Sequence, residues 1–210
     1  MEPIWSSMEV EVSGNSFHGL SLHMQESLQV FQAFLGDAAL NAELQAIGEL
    51  CVQTYQRGNK ILIAGNGGSA ADAQHFAGEL VSRFYFDRPP LSAIALTTDS
   101  SILTAIGNDY GYKEVFARQV LANGCAGDLF IAISTSGNSE NILHAIEACR
   151  QKDITVVGLT GQAGGKLKAL SDHCLCVPSA STPRIQECHL VIEHALCAHI
   201  EQRIFRPEPA

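Results

Sequence analysis

Positive charge is scarce in this sequence. Lys and Arg total 13 against 22 Asp and Glu, a formal net charge of -9. A nucleic-acid-binding surface needs a basic stripe to neutralise phosphates, so direct nucleic-acid contact is not expected. Long apolar runs are missing as well. None approaches the roughly 20 residues of a membrane-crossing helix, and no membrane span is expected. The opening, MEPIWSSMEVEV, is acidic and has no basic stretch followed by an apolar one. It does not read as a secretory signal, and a cytoplasmic protein is expected. Prolines number only 7, and no Pro-, Gly- or Ser-rich linker divides the chain. A length of 210 residues suits one domain with a sizeable core. We expect a flexible polar tail over 1–20 and a single domain over 21–205.

Cysteine is plentiful, but a disulfide framework is absent. Cys51, Cys125, Cys149, Cys174, Cys176, Cys188 and Cys197 make an odd count without regular spacing. Reduced thiols in a reducing compartment are the expectation, with no metal or redox role for any of them. Cys174 and Cys176 are expected on opposite faces of a strand.

Hydrophobic residues make up 46% of the chain and charged residues 17%, a globular balance. Helical spacing of apolar residues predicts helices over 20–35 and 39–57. A repeating pattern follows. KILIAG (60–65), SAIALT (92–97), DLFIAIS (128–134), ITVVGLT (154–160) and HCLCVP (173–178) are short apolar runs without alternation. Helical stretches are predicted between them over 69–83, 100–107, 112–123 and 139–151, and after them over 182–204. Strands apolar on both faces belong in a parallel sheet covered by helices on both sides. The fold class is therefore α/β: a doubly wound, five-stranded parallel sheet flanked by helices, with N-terminal helices ahead of it.

Ligands of such sheets bind outside the carboxyl ends of the strands, in the loops that follow them. After the first strand comes Gly65-Asn66-Gly67-Gly68-Ser69. Free amides at a helix start favour an anion or a polar sugar group. A glycine turn with Ser69 as helix cap explains the loop equally well. After the third strand comes Ser134-Thr135-Ser136-Gly137-Asn138-Ser139. A capping sequence accounts for one of its hydroxyls. Four in six residues point to a phosphate wrapped by hydroxyls and amides. Gly107-Asn108-Asp109 reads locally as a helix cap and turn. Gly161 to Gly165 reads as a plain turn.

His75 and Glu79 stand one helical turn apart on one face. A carboxylate there can act as a general base, and a histidine beside it can bind metal. From spacing alone, a surface pair worth a few tenths of a kcal/mol accounts for them better. His189 and Glu193 form a second such pair, expected to face solvent. Gln186 and His194 lie eight residues apart, about 80° around and about 12 Å along a helix. One straight helix does not aim both at one small ion. A bend, a long reach by Gln186, or separate subunits would be needed.

GNGGSAADAQHFAGEL (65–80), GNDYG (107–111), AISTSGNS (132–139) and RIQECHLVIEH (184–194) resemble the bacterial phosphoheptose isomerases of the sugar-isomerase (SIS) fold in order and spacing. The resemblance covers roughly residues 25–204. It implies a homotetramer with active sites between subunits. It also implies interconversion of sedoheptulose 7-phosphate and D-glycero-D-manno-heptose 7-phosphate, an aldose–ketose isomerisation at the start of heptose supply for lipopolysaccharide. Carried over by motif, substrate contacts fall on Asn66, Gly67, Gly68, Glu79, Asn108, Asp109, Ser134, Thr135, Ser136, Ser139 and Gln186. The catalytic base matches Glu79 and the second acid/base group His194. A zinc ion held by some members matches His75, Glu79, Gln186 and His194. Some relatives carry an acidic residue where this chain has Pro183, so any contact through it is absent here. Two other readings share the fold. One is a tetrameric regulator that binds the replication initiator DnaA, which lacks counterparts of Glu79 and His194. The other is a sugar-phosphate sensor that binds without turnover.

Overall fold

The computed structural model describes residues 19–206. The expected N-terminal tail lies outside the described residues but for its last two positions. Two helices, α1 (Leu20–Gly36) and α2 (Ala38–Gln56), come first. Asp37 separates them: its carboxylate accepts from the Ala39 and Leu40 amides at 2.8 and 3.1 Å, satisfying two donors that α2 leaves unpaired. The alternating part follows as β1 (Ile61–Ala64), α3 (Gly68–Val81), β2 (Ala93–Ala95) and α4 (Ser100–Asp109). A 3-10 turn (Tyr112–Glu114), α5 (Ala117–Asn123), β3 (Leu129–Ile133) and α6 (Glu140–Gln151) come next. The chain then forms β4 (Thr155–Gly161), α7 (Gly165–Leu170), β5 (His173–Val177) and α8 (Thr182–Phe205).

All four strand pairings are parallel, in the order β2-β1-β3-β4-β5. Every residue of β1 and β3 is buried, as expected for apolar runs covered on both faces. Ile61, Ile63, Ile131, Val157 and Leu175 face one way and pack with Ile47 of α2, Phe76 and Leu80 of α3, and Leu196 and Ile200 of α8. Leu62, Phe130 and Val156 face the other way, against Phe116, Val120, Ile142, Ile146 and Leu167. The strand order reverses between β1 and β3, and that switch opens a crevice at their carboxyl ends.

Two local expectations are corrected and one is extended. The plain turn at 161–165 stands, but it leads into a short helix not expected there, α7, whose start at Gly165 is a left-handed glycine. A six-residue helix is too short to show an apolar period. The turn at 107–109 is instead the last part of α4. Cys174 and Cys176 share one face of β5 with their sulfurs 4.0 Å apart, because residues two apart in a strand point the same way.

His189 and Glu193, expected in solvent, are fully buried, because α8 packs on both the sheet and α3. Burial lowers His189 to about 4, against the opposing effect of its 3.3 Å contact with the Thr160 carbonyl. Asp128, also buried, accepts from the Lys60 ammonium at 2.7 Å and from the Cys125 amide at 2.8 Å. Burial would raise it, but Lys60 and these hydrogen bonds hold it below the usual carboxylate value. Each group therefore favours the folded state in its unprotonated form. His189 loses its contribution as pH falls from 6.5 through about 4. Asp128 keeps its contribution above its unfolded value of 3.8 and loses it as pH falls through its lower folded value. Buried Glu193 and half-buried Asp72 act in the opposite sense: burial raises them to about 9 and about 6, so each gains stability as pH falls towards its ordinary 4.5 or 3.8. His189→Gln, which removes only the loss between pH 6.5 and about 4, should therefore raise the melting temperature at pH 4–5 relative to its effect at pH 7–8, in thermal melts across pH 3–8.

Candidate active site

Both helices that begin at the crevice start without a side-chain cap. Gly67, with φ 58°, is the residue before α3, and Ser69 is buried inside the first turn instead of capping it. At α6, Ser139 occupies the cap position, but its hydroxyl meets the Ser134 hydroxyl at 2.9 Å and caps nothing. The capping explanation offered by local sequence therefore fails for both loops. Their amides face the switch point, where an anion is favoured by both the free donors and the helix dipole.

The two loops are joined directly. Asn66 and Asn141 exchange a reciprocal pair of amide hydrogen bonds at 2.9 and 2.8 Å, and the Tyr112 hydroxyl donates to the Asn66 carbonyl oxygen at 2.9 Å. Sequence reasoning missed both Asn141 and Tyr112. Asn141 sits in the first turn of α6, and its signal was a buried polar residue, which no local pattern reveals. Asn108 and Asp109 are exposed at the end of α4, bonded to one another at 2.8 Å.

The serine loop is braced by the segment before α7. The Gly137 carbonyl accepts from the Leu167 amide at 2.9 Å, the Thr135 carbonyl from the Gly161 amide at 3.1 Å, and Asn138 Oδ1 from the Lys166 amide at 3.1 Å. Gly137 has φ 66°, and a Cβ on it would run into the Gly164 carbonyl oxygen. The left-handed backbone alone costs a side chain about 1–2 kcal/mol. Gly137→Ala should therefore raise KM for a phosphorylated sugar and lower stability. Inorganic phosphate competition should weaken in parallel. A variant with unchanged KM would remove this loop from the anion site.

The titratable groups lie on α3 and α8, which run side by side. Gln186, at the start of α8, rests its amide against Gly68, where a Cβ would run into it. Further along, the ring nitrogens Nε2 of His75 and His194 meet at 2.7 Å. Glu79 Oε1 lies 3.7 Å from His75 Nε2. Seven residues on α3 and eight on α8 separate the two contacts, about 10.5 and 12 Å of helix. Parallel packing in near register thus explains how distant positions in the sequence meet. It gathers His75, Glu79 and His194 and leaves Gln186 at the glycine loop.

A hydrogen bond between two imidazole nitrogens needs one proton between them, so one ring donates and the other accepts. Phe84 lies against His194 with ring centroids 5.5 Å apart. Beneath this surface Glu193 and Asp72 have buried oxygens without partners. Burial, and then the charge of Asp72, raises Glu193 to about 9; burial raises Asp72 to about 6 against the opposing charge of His75. Glu193 is thus a neutral acid at neutral pH and adds no charge behind the imidazoles.

Two imidazole nitrogens directed at one point, with a carboxylate beside them, are donors of the kind zinc takes. The residues fit that ion in donor type. Among the described residues no three His, Cys, Asp or Glu side chains form a closed metal cluster. No helix among them is long and apolar enough to cross a membrane.

Known proteins resemble the chain over most of its length. The SIS domain family matches residues 25–161. Phosphoheptose isomerase of Aneurinibacillus thermoaerophilus is 60% identical over 184 residues, 88% of this chain and 93% of that protein. Phosphoheptose isomerase 2 of Campylobacter jejuni is 57% identical over 183 residues, 87% and 91% of the two chains. Among solved structures, a phosphoheptose isomerase of Neisseria gonorrhoeae superposes with a TM-score of 0.81 at 45% identity, covering 87% of this chain and 96% of the other. One from Francisella tularensis gives 0.83 at 40% identity with the same coverage.

Proposed function

The chain belongs to the phosphoheptose isomerase family of SIS-domain proteins, and from that premise we propose that it converts sedoheptulose 7-phosphate to D-glycero-D-manno-heptose 7-phosphate through an enediol. It is a sugar-phosphate isomerase. The observation that carries the finer reading is the meeting of His75, Glu79 and His194 on neighbouring helices.

Glu79 takes the proton from the carbon beside the carbonyl and returns it to the adjacent carbon. His194 moves protons between the two oxygens, and the single proton shared with His75 leaves one ring able to donate and the other able to accept. In place of that shared proton, His75 and His194 with the Glu79 carboxylate would hold zinc, which when bound would supply Lewis-acid polarisation of the sugar oxygens, while Gln186, left at the glycine loop, would contact the sugar. The uncapped starts of α3 and α6, with Ser134, Thr135, Ser136 and Ser139, hold the phosphate and set the distance to the reacting end. Asn66 joins the two loops and keeps that spacing. Asn108 and Asp109 remain proposed contacts to the sugar.

A homotetramer with sites completed between chains is part of the proposal. Leu20, Met24, Leu28 and Leu35 on α1 and Val191 on α8 are exposed apolar residues. Phe31, Phe34, Leu44, Val191 and Ala195 line an apolar groove of about 230 Å³ beside them. Such a surface favours a second copy of the chain over water. Heptose supply for lipopolysaccharide and a cytoplasmic location follow as proposals from the same membership. The DnaA-binding alternative receives no support from the relatives described.

The test is incubation with sedoheptulose 7-phosphate, with and without zinc and a chelator, followed by product analysis. The aldose phosphate should accumulate to equilibrium. Saturable binding without product under every condition would overturn the catalytic reading in favour of a sensor.

A further inference from the structure

The structure assigns Cys174 and Cys176 a role outside isomerisation: we propose that their paired thiols bind a soft monovalent metal ion of the copper(I) type at the edge of the sheet. β5 is an outer strand, and the two sulfurs stand on one face of it, 4.0 Å apart and half-buried. Opposite Cys174 in the neighbouring strand is Gly158. A Cβ there would come within 3.1 Å of the Cys174 sulfur and 3.0 Å of Leu167. The missing side chain leaves the thiol its space beneath α7.

The spacing suits a bridging ion better than a disulfide. Residues two apart in a strand have Cα atoms about 6.6 Å apart, near the upper limit of about 6.8 Å for an S–S bridge. Two metal–thiolate bonds of about 2.3 Å span this separation at an S–metal–S angle of about 120°, and opening to a linear bridge adds only about 0.6 Å. Among the described residues, no third His, Cys, Asp or Glu groups with the pair. Zinc fills four positions in a structural site. A soft ion content with two thiolates is the match.

The charges agree. The Cys174–Cys176 hydrogen bond lowers Cys176 to about 7, helped by Lys168 on α7 and opposed by burial. The same hydrogen bond, with burial, raises Cys174. One thiolate is therefore available near neutral pH, and metal binding displaces the second proton. Of the other cysteines, Cys51, Cys149, Cys188 and Cys197 are buried away from an incoming ion, and Cys125 is exposed.

The test uses the full-length reduced protein under anaerobic conditions, titrated with copper(I) against bicinchoninate. One equivalent per chain should be withheld from the chelator. Cys174→Ser and Cys176→Ser should each abolish it, and Cys125→Ser should not. In the unaltered protein, copper(I) should also shield Cys176 from iodoacetamide, read by mass spectrometry. No withheld equivalent, one that survives both substitutions, or alkylation of Cys176 undiminished by copper(I) would overturn the proposal. None of these readouts depends on isomerase activity.

Discussion

Replacing Glu79 with glutamine is expected to lower kcat by about 10²–10⁴-fold, the usual contribution of a positioned general base. Binding of the sugar phosphate should be retained. Glutamine keeps the shape of the side chain but cannot accept a proton from carbon. Glu79 holds its place on α3 independently of that charge, since Phe76 one turn before it and Leu80 beside it are both buried. Its side chain, 28% exposed, reaches the surface beside His75. The same variant should stop exchange of the substrate's transferable proton with deuterium from solvent. That readout separates lost proton abstraction from lost folding. Turnover and exchange close to those of the unaltered protein would remove Glu79 from the mechanism.

The second large effect is structural and reaches the site from below. Arg88 and Glu201 form an ion pair at 3.0 Å, with side chains only 2% and 1% exposed. Glu201 also accepts from the Phe84 and Tyr85 amides at 2.9 and 2.7 Å. Arg88 in turn donates to the carbonyls of Leu80 and Glu79 at 2.7 and 2.9 Å. The pair thus closes the end of α3, holds the loop after it and ties both to α8. Burial would raise Glu201, but those amides and Arg88 hold it below the usual carboxylate value. Removing one partner leaves an uncompensated buried charge, so Arg88→Met should cost about 3–5 kcal/mol. At about 2–4 °C per kcal/mol for a chain of this size, melting should fall by roughly 10 °C. Adding Glu201→Gln should restore part of the loss, because no charge is then stranded. Phe84 packs on His194, so Arg88→Met should also lower kcat. A loss under 1 kcal/mol in urea unfolding would show that the pair is not the clamp.

This clamp was invisible in the sequence, because Arg88 and Glu201 lie 113 residues apart. The sheet was visible. Apolar runs at 60–65 and 128–134 became β1 and β3 within about two residues at each end, because strands buried on both faces carry no polar residue to blur their limits. The serine loop was legible too, since four hydroxyls in six residues exceed what a cap requires. The burial of Glu193 was not. Its spacing from His189 looks the same on a surface helix as on one pressed against α3.

Local chemistry by itself thus determined the α/β class, the strand positions and the places of the glycine and serine loops at helix starts, because each depends on residues that are neighbours in the chain. The order β2-β1-β3-β4-β5 could not be read that way, nor could the parallel seating of α3 beside α8. Packing decides them, since it selects which apolar faces meet. That choice turned His75 and His194, two ordinary helix histidines 119 residues apart, into a pair 2.7 Å apart. It also placed two half-buried thiols side by side at the edge of the sheet, with room made for one of them by a glycine on the neighbouring strand.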